Sequence, residues 1–551
     1  PFEKTIDIDG SRNLLELARE AGIPLQSTCG GKKICGKCKV VIKKTDGPLP
    51  PSSAREQKVL GGYSEKGYRL ACETVLTHGA VVVIPDESRI KRQVILTWDT
   101  KHSFPVRLRP NVSPHYVEVS PPVLDSVIAD RERLLIALEK TYGIRRPALD
   151  PFVLRKLPHT LRSDREGVTV AIRSKDEIID LYPGRRDSLF GVAFDVGTTT
   201  VVAFLMDLIT GDRLSVKSAM NPQIAIGDDV ITRIAFCPMA PYPPVLQESQ
   251  DYKARDLGLN IGASAYVHLL PLKAGFVGSD IIACILATGL HRSKIPTLLI
   301  DLGTNGEIVF GNKNRMLCCS TAAGPAFEGG HIRWGMRASS GAIERLKIDQ
   351  ETLDVRWETI YDQRPSGLCG SGIISAIAEM IRAGIILGRG NFDKGLQTPR
   401  LRDGEDGPEF VLVRASEAAT KQDIVITQKD VAAMQMAKAA VNAGATLLME
   451  QFEGEEVERI LLAGAFGNYV DPEDACTIDL FPGCLTAKVV GVGNAAGHGS
   501  CLALLDKNKR KEAERIAQKI EYRELAATTR FQDLFVSGMF FKSARDFEDV
   551  F

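Results

Sequence analysis

Apolar and polar positions alternate from Phe2 to Ile8 with the two-residue period of a strand. Gly10-Ser11 then offers an N-cap to an amphipathic helix over Asn13-Leu-Leu-Glu-Leu-Ala-Arg-Glu-Ala21, closed by Gly22. Short apolar runs predict strands over Val40–Ile42 and Val81–Ile84. From Asp86 to Pro110 the period disappears and charge accumulates around Pro105 and Pro110, which reads as a tether that leaves the first unit able to move. A helix over Ser126–Leu138, a second opening at Asp150-Pro151, and strands over Gly167–Arg173 and Glu177–Tyr182 predict a small α/β unit.

Two segments farther on repeat one pattern about a hundred residues apart. Phe190-Gly-Val-Ala-Phe-Asp-Val-Gly-Thr-Thr-Thr-Val-Val-Ala-Phe-Leu205 and Leu298-Leu-Ile-Asp-Leu-Gly-Thr-Asn-Gly-Glu-Ile-Val-Phe310 each read as strand, turn, strand. Gly367-Leu-Cys-Gly-Ser-Gly372 opens a helix over Ile373–Ala383, Leu461-Leu-Ala-Gly-Ala-Phe-Gly467 ends an apolar strand, and Gly491–Gly497 begins another helix.

At 551 residues the chain exceeds one hydrophobic core, and several domains are expected. The boundaries read as 1–88, a linker over 89–111, a small α/β domain over 112–187 and a two-lobed domain over 188–551. The 69 basic and 69 acidic residues cancel, which disfavours nucleic acid or an anionic membrane as partner. No apolar run reaches the roughly 18 residues of a membrane span, and no secretory signal follows the charged start, so a cytoplasmic location is expected.

Of twelve cysteines, Cys29, Cys35, Cys38 and Cys72 are spaced as a set: three share one loop and the fourth arrives from afar. That layout suits a 2Fe-2S cluster, with Gly30, Gly31 and Gly36 letting the chain curl around sulfur and present amides. Zinc is the rival, but its structural sites pair two Cys-x-x-Cys knuckles and only Cys35 and Cys38 form one. A radical enzyme would use three cysteines rather than four. The module resembles plant-type and adrenodoxin-type ferredoxins, which implies a β-grasp sheet. The other eight cysteines, including Cys476 and Cys484, read as scattered buried thiols.

In each hairpin a carboxylate, a glycine and hydroxyl or amide groups sit where backbone N–H donors wrap phosphate oxygens. The fingerprints of dinucleotide and Walker sites are absent. The pattern resembles the acetate kinase, sugar kinase, heat-shock chaperone and actin superfamily, whose members hold ATP between two related halves. The resemblance implies phosphate and nucleotide contacts from Gly197, Thr198, Thr199 and Thr200, from Gly303, Thr304 and Asn305, from Gly367, Gly370, Ser371 and Gly372, and from Gly464, Ala465, Phe466 and Gly467. Asp195 and Asp301 would face Mg2+, bound as hard oxygen ligands require. Glu307 reads either as a group that orients water or as a solvated strand end.

The resemblance narrows with Asn221–Arg233, Gly275–Asp280, Ser320–Gly329 and Gly341–Glu344. Joined to the cysteine module, they are similar to the reductive activators of corrinoid proteins. This implies an α/β multidomain chain with an N-terminal 2Fe-2S ferredoxin fold, a middle domain and a duplicated ribonuclease-H-like, actin-like ATPase domain. It implies one electron passed to Co(II) of a corrinoid (cobalamin-carrying) protein, a low-potential electron donor, and a homodimer through the ATPase domain. The chain shows no Asp-x-His-x-x-Gly motif, so the cobalt is expected on the partner. One departure stands out: only six residues separate Arg233 from Ala240-Pro-Tyr-Pro-Pro244, where the family pattern places a helix and a strand. Either the sequence omits a stretch or the first lobe is truncated. Alternatives are a small-molecule kinase of the same fold with a redox-sensing ferredoxin domain, an assembly module built on a nucleotide clamp, and an activator of acyl-CoA dehydratases.

Overall fold

The computed structural model describes residues 3–8, 10–23, 25, 27, 31, 33, 36–85, 88, 107–125, 127–163, 167–225, 248–303, 305–405, 407–452, 454, 456–464, 469–483, 488–525 and 528–541. Most of the expected tether, the segment between Arg233 and Ala240, and Cys29 and Cys35 lie outside them.

In the N-terminal module, helix α1 (Leu14–Glu20) packs Leu14, Leu15, Leu17 and Ala18 against a three-stranded antiparallel sheet. The central strand β1 (Lys39–Thr45) lies between β2 (Tyr68–Leu70) and β3 (Ala80–Val83). The helix is capped by Asn13, whose side chain accepts from Leu15 N at 3.0 Å, and not by Ser11. Among residues 3–8 no strand forms: Ile6 and Ile8 keep their apolar contacts with the core, but no ladder recruits them. A bidentate pair between Arg69 and Glu56, whose carboxylate also accepts from Leu70 N at 2.6 Å, ties helix α2 (Ala54–Leu60) to β2.

A second sheet orders β4 (Val112–Val117), β6 (Val168–Arg173), β7 (Glu177–Pro183) and the short β5 (Ala148–Leu149). Helices α3 (Asp130–Tyr142) and α4 (Pro151–Ser163) cover it through Leu134, Leu138, Val153 and Leu157. Helix α3 starts four residues after the expected Ser126, because Ala129 is extended and Asp130 and Glu132 place their charge in the first turn.

The remainder is duplicated. The first lobe carries the antiparallel β8 (Phe190–Val196), β9 (Thr200–Asp207) and β10 (Arg213–Met220). The second carries β11 (Thr297–Leu302), β12 (Gly306–Gly311) and β13 (Met316–Thr321), extended in parallel past β11 by β14 (Arg459–Ala463) and β15 (Lys488–Gly493), and past β13 by the short β16 (Glu521–Tyr522). On one face of this six-stranded sheet lie α6 (Gly370–Arg382) and α7 (Gln428–Met449). On the other lie α5 (Ser279–Thr288), α8 (Ala495–Leu505) and α9 (Lys507–Lys519).

Helix α8 joins the lobes: Ala495, Ala496 and Leu502 enter the core of the second, while Cys501 and Leu505 pack under β9 with Val202, Phe204 and Met206. The opposite face of β8 leaves Phe190, Val192, Phe194 and Val196 exposed. The cluster module touches the far side of the second lobe, with Lys37 Nζ 3.5 Å from the Ile332 carbonyl and Tyr63 beside Gln422.

Helices α5 and α8 meet with almost no space between them, since a Cβ on Gly499 would stand 2.1 Å from the Ala283 carbonyl oxygen. Gly499→Val is therefore expected to cost about 1–3 kcal/mol by overpacking and to lower the thermal midpoint. An unchanged midpoint would contradict this packing.

Candidate nucleotide and cluster sites

The two hairpin turns open into one cavity of about 380 Å3, in the range of small-ligand sites. Gly197, Thr198, Thr199 and Thr200 line it from the first lobe, and Gly303 and Asn305 from the second. Each turn closes on itself, Gly197 N donating to Thr200 O at 2.8 Å and Gly303 N to Asn305 O at 2.9 Å. Asn221 holds the first turn from behind, its backbone N–H donating to Thr199 O and its side chain to Gly197 O, both at 2.9 Å. Thr199 Oγ1 donates across to Glu328 at 2.9 Å.

The floor is acidic. In the β11–β12 register Asp301 stands directly opposite Glu307, an arrangement that repels when both are ionised. Asp195 on β8 and Asp280 in the first turn of α5 face the same space. Burial, then the charges of Asp280 and Asp195, push Asp301 up from 3.8 to about 7. Burial, with Asp280 adding, pushes Asp195 up to about 6 against the opposing pull of an Asn494 hydrogen bond. Burial also raises Asp280, and with Asp280 and Asp301 it raises Glu307 well above the carboxylate range. The Cys284 thiol beneath donates to Asp301 at 3.5 Å. Asn494 has two roles: its Nδ2 donates to Asp195 at 2.8 Å, and its Oδ1 accepts from Gly497 N at 2.6 Å to cap α8.

Among the described residues no three Asp, Glu, His or Cys side chains converge closely enough to hold a metal alone. Buried oxygen ligands carrying raised pKa values fit a hard divalent cation, provided phosphates or water complete its shell.

Gly370 and Ser371 line the cavity at the start of α6, and Gly464 lines it after β14. At Gly464, φ is +98° and a Cβ would stand 2.5 Å from Leu302 O, so the site needs glycine there. Gly367 and Gly372 are not among the lining residues. Their missing Cβ atoms permit close packing instead, against Trp334 O and Ile343 O, and their place in a nucleotide motif follows from that packing. Thr304, Ala465, Phe466 and Gly467 lie outside the described residues. Asp280, Glu328, Glu344 and Asn494 join the lining without having been singled out from the sequence. The signal was present: Asp280 and Glu344 end, and Glu328 nearly ends, the quoted stretches Gly275–Asp280, Gly341–Glu344 and Ser320–Gly329.

In the first module Cys38 precedes β1 and Cys72 follows β2, both buried, and Ala71 N donates to Cys38 O at 2.9 Å. The strand ladder thus brings two cysteines distant in sequence side by side. Asn13 Nδ2 donates to Cys72 O at 3.0 Å while its Oδ1 caps α1, fixing helix and loop together. Gly36 has φ of +64°, and a Cβ there would strike Val59 at 2.4 Å, as a loop drawn tightly around a group requires. These features fit a cluster held by thiolates. Elsewhere Cys284, Cys318, Cys319, Cys369 and Cys501 are buried thiols, whereas Cys476 is disulfide-bonded, contrary to its expected state.

Family models match the chain in four stretches, with the middle region falling within what the sequence predicts as the first lobe. The 2Fe-2S iron-sulfur cluster binding domain model matches residues 1–77. The RACo linker region matches 102–188, the RACo middle region matches in two pieces, 190–240 and 236–293, and the C-terminal domain of RACo, the ASKHA domain, matches 296–550. The corrinoid activation enzyme RamQ of Eubacterium limosum is 32% identical over 98% of this chain and 98% of its own length. The [Co(II) methylated amine-specific corrinoid protein] reductase of Methanosarcina barkeri is 31% identical over 46% of this chain and 47% of its own. A solved structure titled "Reductive activator for corrinoid,iron-sulfur protein" superimposes with a TM-score of 0.72 at 33% identity, covering 96% of this chain and 95% of that one.

A carboxyl whose folded pKa is raised keeps a proton that the unfolded chain has released. The stability Asp301 contributes is complete below about 4 and is lost as pH climbs through about 7. Asp301→Asn is expected to raise the thermal midpoint of the nucleotide-free protein more at pH 8 than at pH 5. Equal shifts at both values would contradict the buried-carboxylate reading.

Proposed function

The chain belongs to the ATP-dependent reductive activators of corrinoid proteins, and on that premise we propose that it uses ATP to drive one electron from its N-terminal module to the Co(II) of a corrinoid partner, restoring Co(I). The observation that carries this reading is the meeting of Asp195 and Asp301, one from each lobe, in a single cavity of a chain whose N-terminal module presents paired buried cysteines.

When bound, a 2Fe-2S cluster supplies one-electron transfer near about −400 mV for the plant type. Cys38 and Cys72, with Cys29 and Cys35, would hold it, and Asn13 fixes the loop that presents Cys72. In the ATPase domain the turns at Gly197–Thr200 and Gly303–Asn305 offer N–H and side-chain donors to phosphate. Asp195 and Asp301 would hold Mg2+ between the lobes, with Asn494 orienting Asp195 and Glu328 orienting Thr199. Glu307, directly opposite Asp301, is the group placed to position or deprotonate the attacking water.

Moving one electron against roughly 100 mV costs about 2.3 kcal/mol. ATP can supply such a shift only through different affinities for two states of the protein. The lobes provide those states: ligands on both sides of one cavity draw Asp195 and Asp301 together when nucleotide is present, and α8, packed into both lobes, carries the change outward. That change alters the grip on the corrinoid partner, while an external low-potential donor refills the cluster.

The test follows the corrinoid absorbance of a Co(II) corrinoid protein mixed with this chain and a low-potential donor. Each 59 mV of uphill coupling lost lowers the Co(I) yield about tenfold, so omission of Mg-ATP is expected to lower it by at least that factor. Cys72→Ser is expected to abolish reduction and leave nucleotide binding intact. Equal Co(I) with and without ATP would sink the coupled mechanism.

A further inference from the structure

Helix α9 carries six basic residues against two acidic ones, in a chain whose formal charge is zero. Lys507, Lys511, Arg515 and Lys519 recur at every fourth position, so they form one stripe with charges about 6 Å apart along the helix. All four are exposed. Lys507, Lys511 and Arg515 make no ion pair among the described residues, and Lys519 donates to the Lys313 carbonyl. Glu512, one of the two acids on the helix, is already engaged by His291, Arg292 and Lys509.

The stripe borders a groove of about 540 Å3 between α9 and the segment following α5, floored by Met316 and Ile516 and walled by His291. Burial pushes His291 down to about 4, with Arg292, Lys509 and Lys519 adding and a hydrogen bond to the Ile285 carbonyl opposing.

The position of the groove is the second observation. Helix α5 starts at the nucleotide cavity with Asp280 and ends just before His291, spanning about 15 Å over its ten residues. One rigid helix therefore connects the ATP floor to the groove. The chain's own cluster module is a poor occupant, because residues 1–85 hold thirteen basic and nine acidic residues. An electron donor has no need of this face either, since the cluster module packs beside Ile332 and the start of α7, across the sheet from α9. The partner whose binding must respond to nucleotide is the corrinoid protein.

We propose that the Lys511–Arg515 stripe and its groove are the docking surface for an acidic face of the corrinoid protein, with α5 reporting nucleotide state to it; this rests on the proposed function above. Opposite charges exposed at such a rim steer association and make it salt-dependent.

The experiment compares the wild-type holoprotein with the double variant K511E/R515E, using the corrinoid protein that the wild type reduces. Both positions are exposed on a helix that tolerates Glu, so folding is preserved. The variant is expected to raise KM for the corrinoid protein at least tenfold at low salt and to flatten its salt dependence, with kcat, ATP hydrolysis without partner, and solution mass unchanged. An unchanged KM, alongside a wild type that reduces its partner, overturns the surface alone. A change in solution mass overturns it by assigning the face to a second copy of this chain. An equal KM rise in a control reversal at the exposed Lys394, outside α9 and its groove, also overturns it. A wild type that reduces no corrinoid protein removes the proposed function itself, and the surface with it.

Discussion

Four carboxylates that repel one another when ionised line one cavity, and the geometry of the ATPase domain is built around them. Asp301 and Glu307 are cross-strand neighbours, Asp195 approaches from the other lobe, and Asp280 arrives on a helix start. In water such charges would separate. Here the ladders of two hairpins and the contact of Gly499 with Ala283 hold them in place, and burial raises their pKa values instead. In the proposed reading, a divalent cation with phosphates is the ligand that would relieve this repulsion.

Asp195 and Asp301 come from different lobes, so the proposed metal and phosphates would bridge the two. Asn494 links this chemistry to the scaffold, holding Asp195 with one end of its amide and capping α8 with the other. Helix α8 in turn packs under both sheets. In the N-terminal module Cys38 and Cys72 are brought together by an ordinary strand ladder and one capped helix. In the proposed reading the ATPase domain makes electron transfer favourable and the thiolates supply the path.

The legible parts of the sequence were those set by local pattern. Both phosphate hairpins, the opening at Pro151 and the helix following Gly367-Leu-Cys are short-range features, and their turn residues announce them. Helix starts were harder, because two nearby residues able to cap compete. Asn13 prevails over Ser11 since its amide also reaches Cys72 O, a contact 59 residues away in sequence. Ile6 and Ile8 alternate as a strand would, yet strand formation requires a partner edge that sequence does not reveal. Asp280 and Asn494 escaped notice for the same reason, since their role depends on which helix start reaches the cavity. Gly367 and Gly372 illustrate the converse, glycines in a recognisable motif that serve close packing rather than the lining.

The central claim is that the carboxylate floor is partly protonated until nucleotide and metal arrive. Titration calorimetry of Mg-ATP binding at pH 6.5, repeated in buffers of different ionisation enthalpy, measures protons exchanged on binding. With Asp195 near 6 and Asp301 near 7, the account predicts net proton release that shrinks as pH rises past about 7. Binding with no proton exchange at pH 6.5, or with proton uptake, would contradict it.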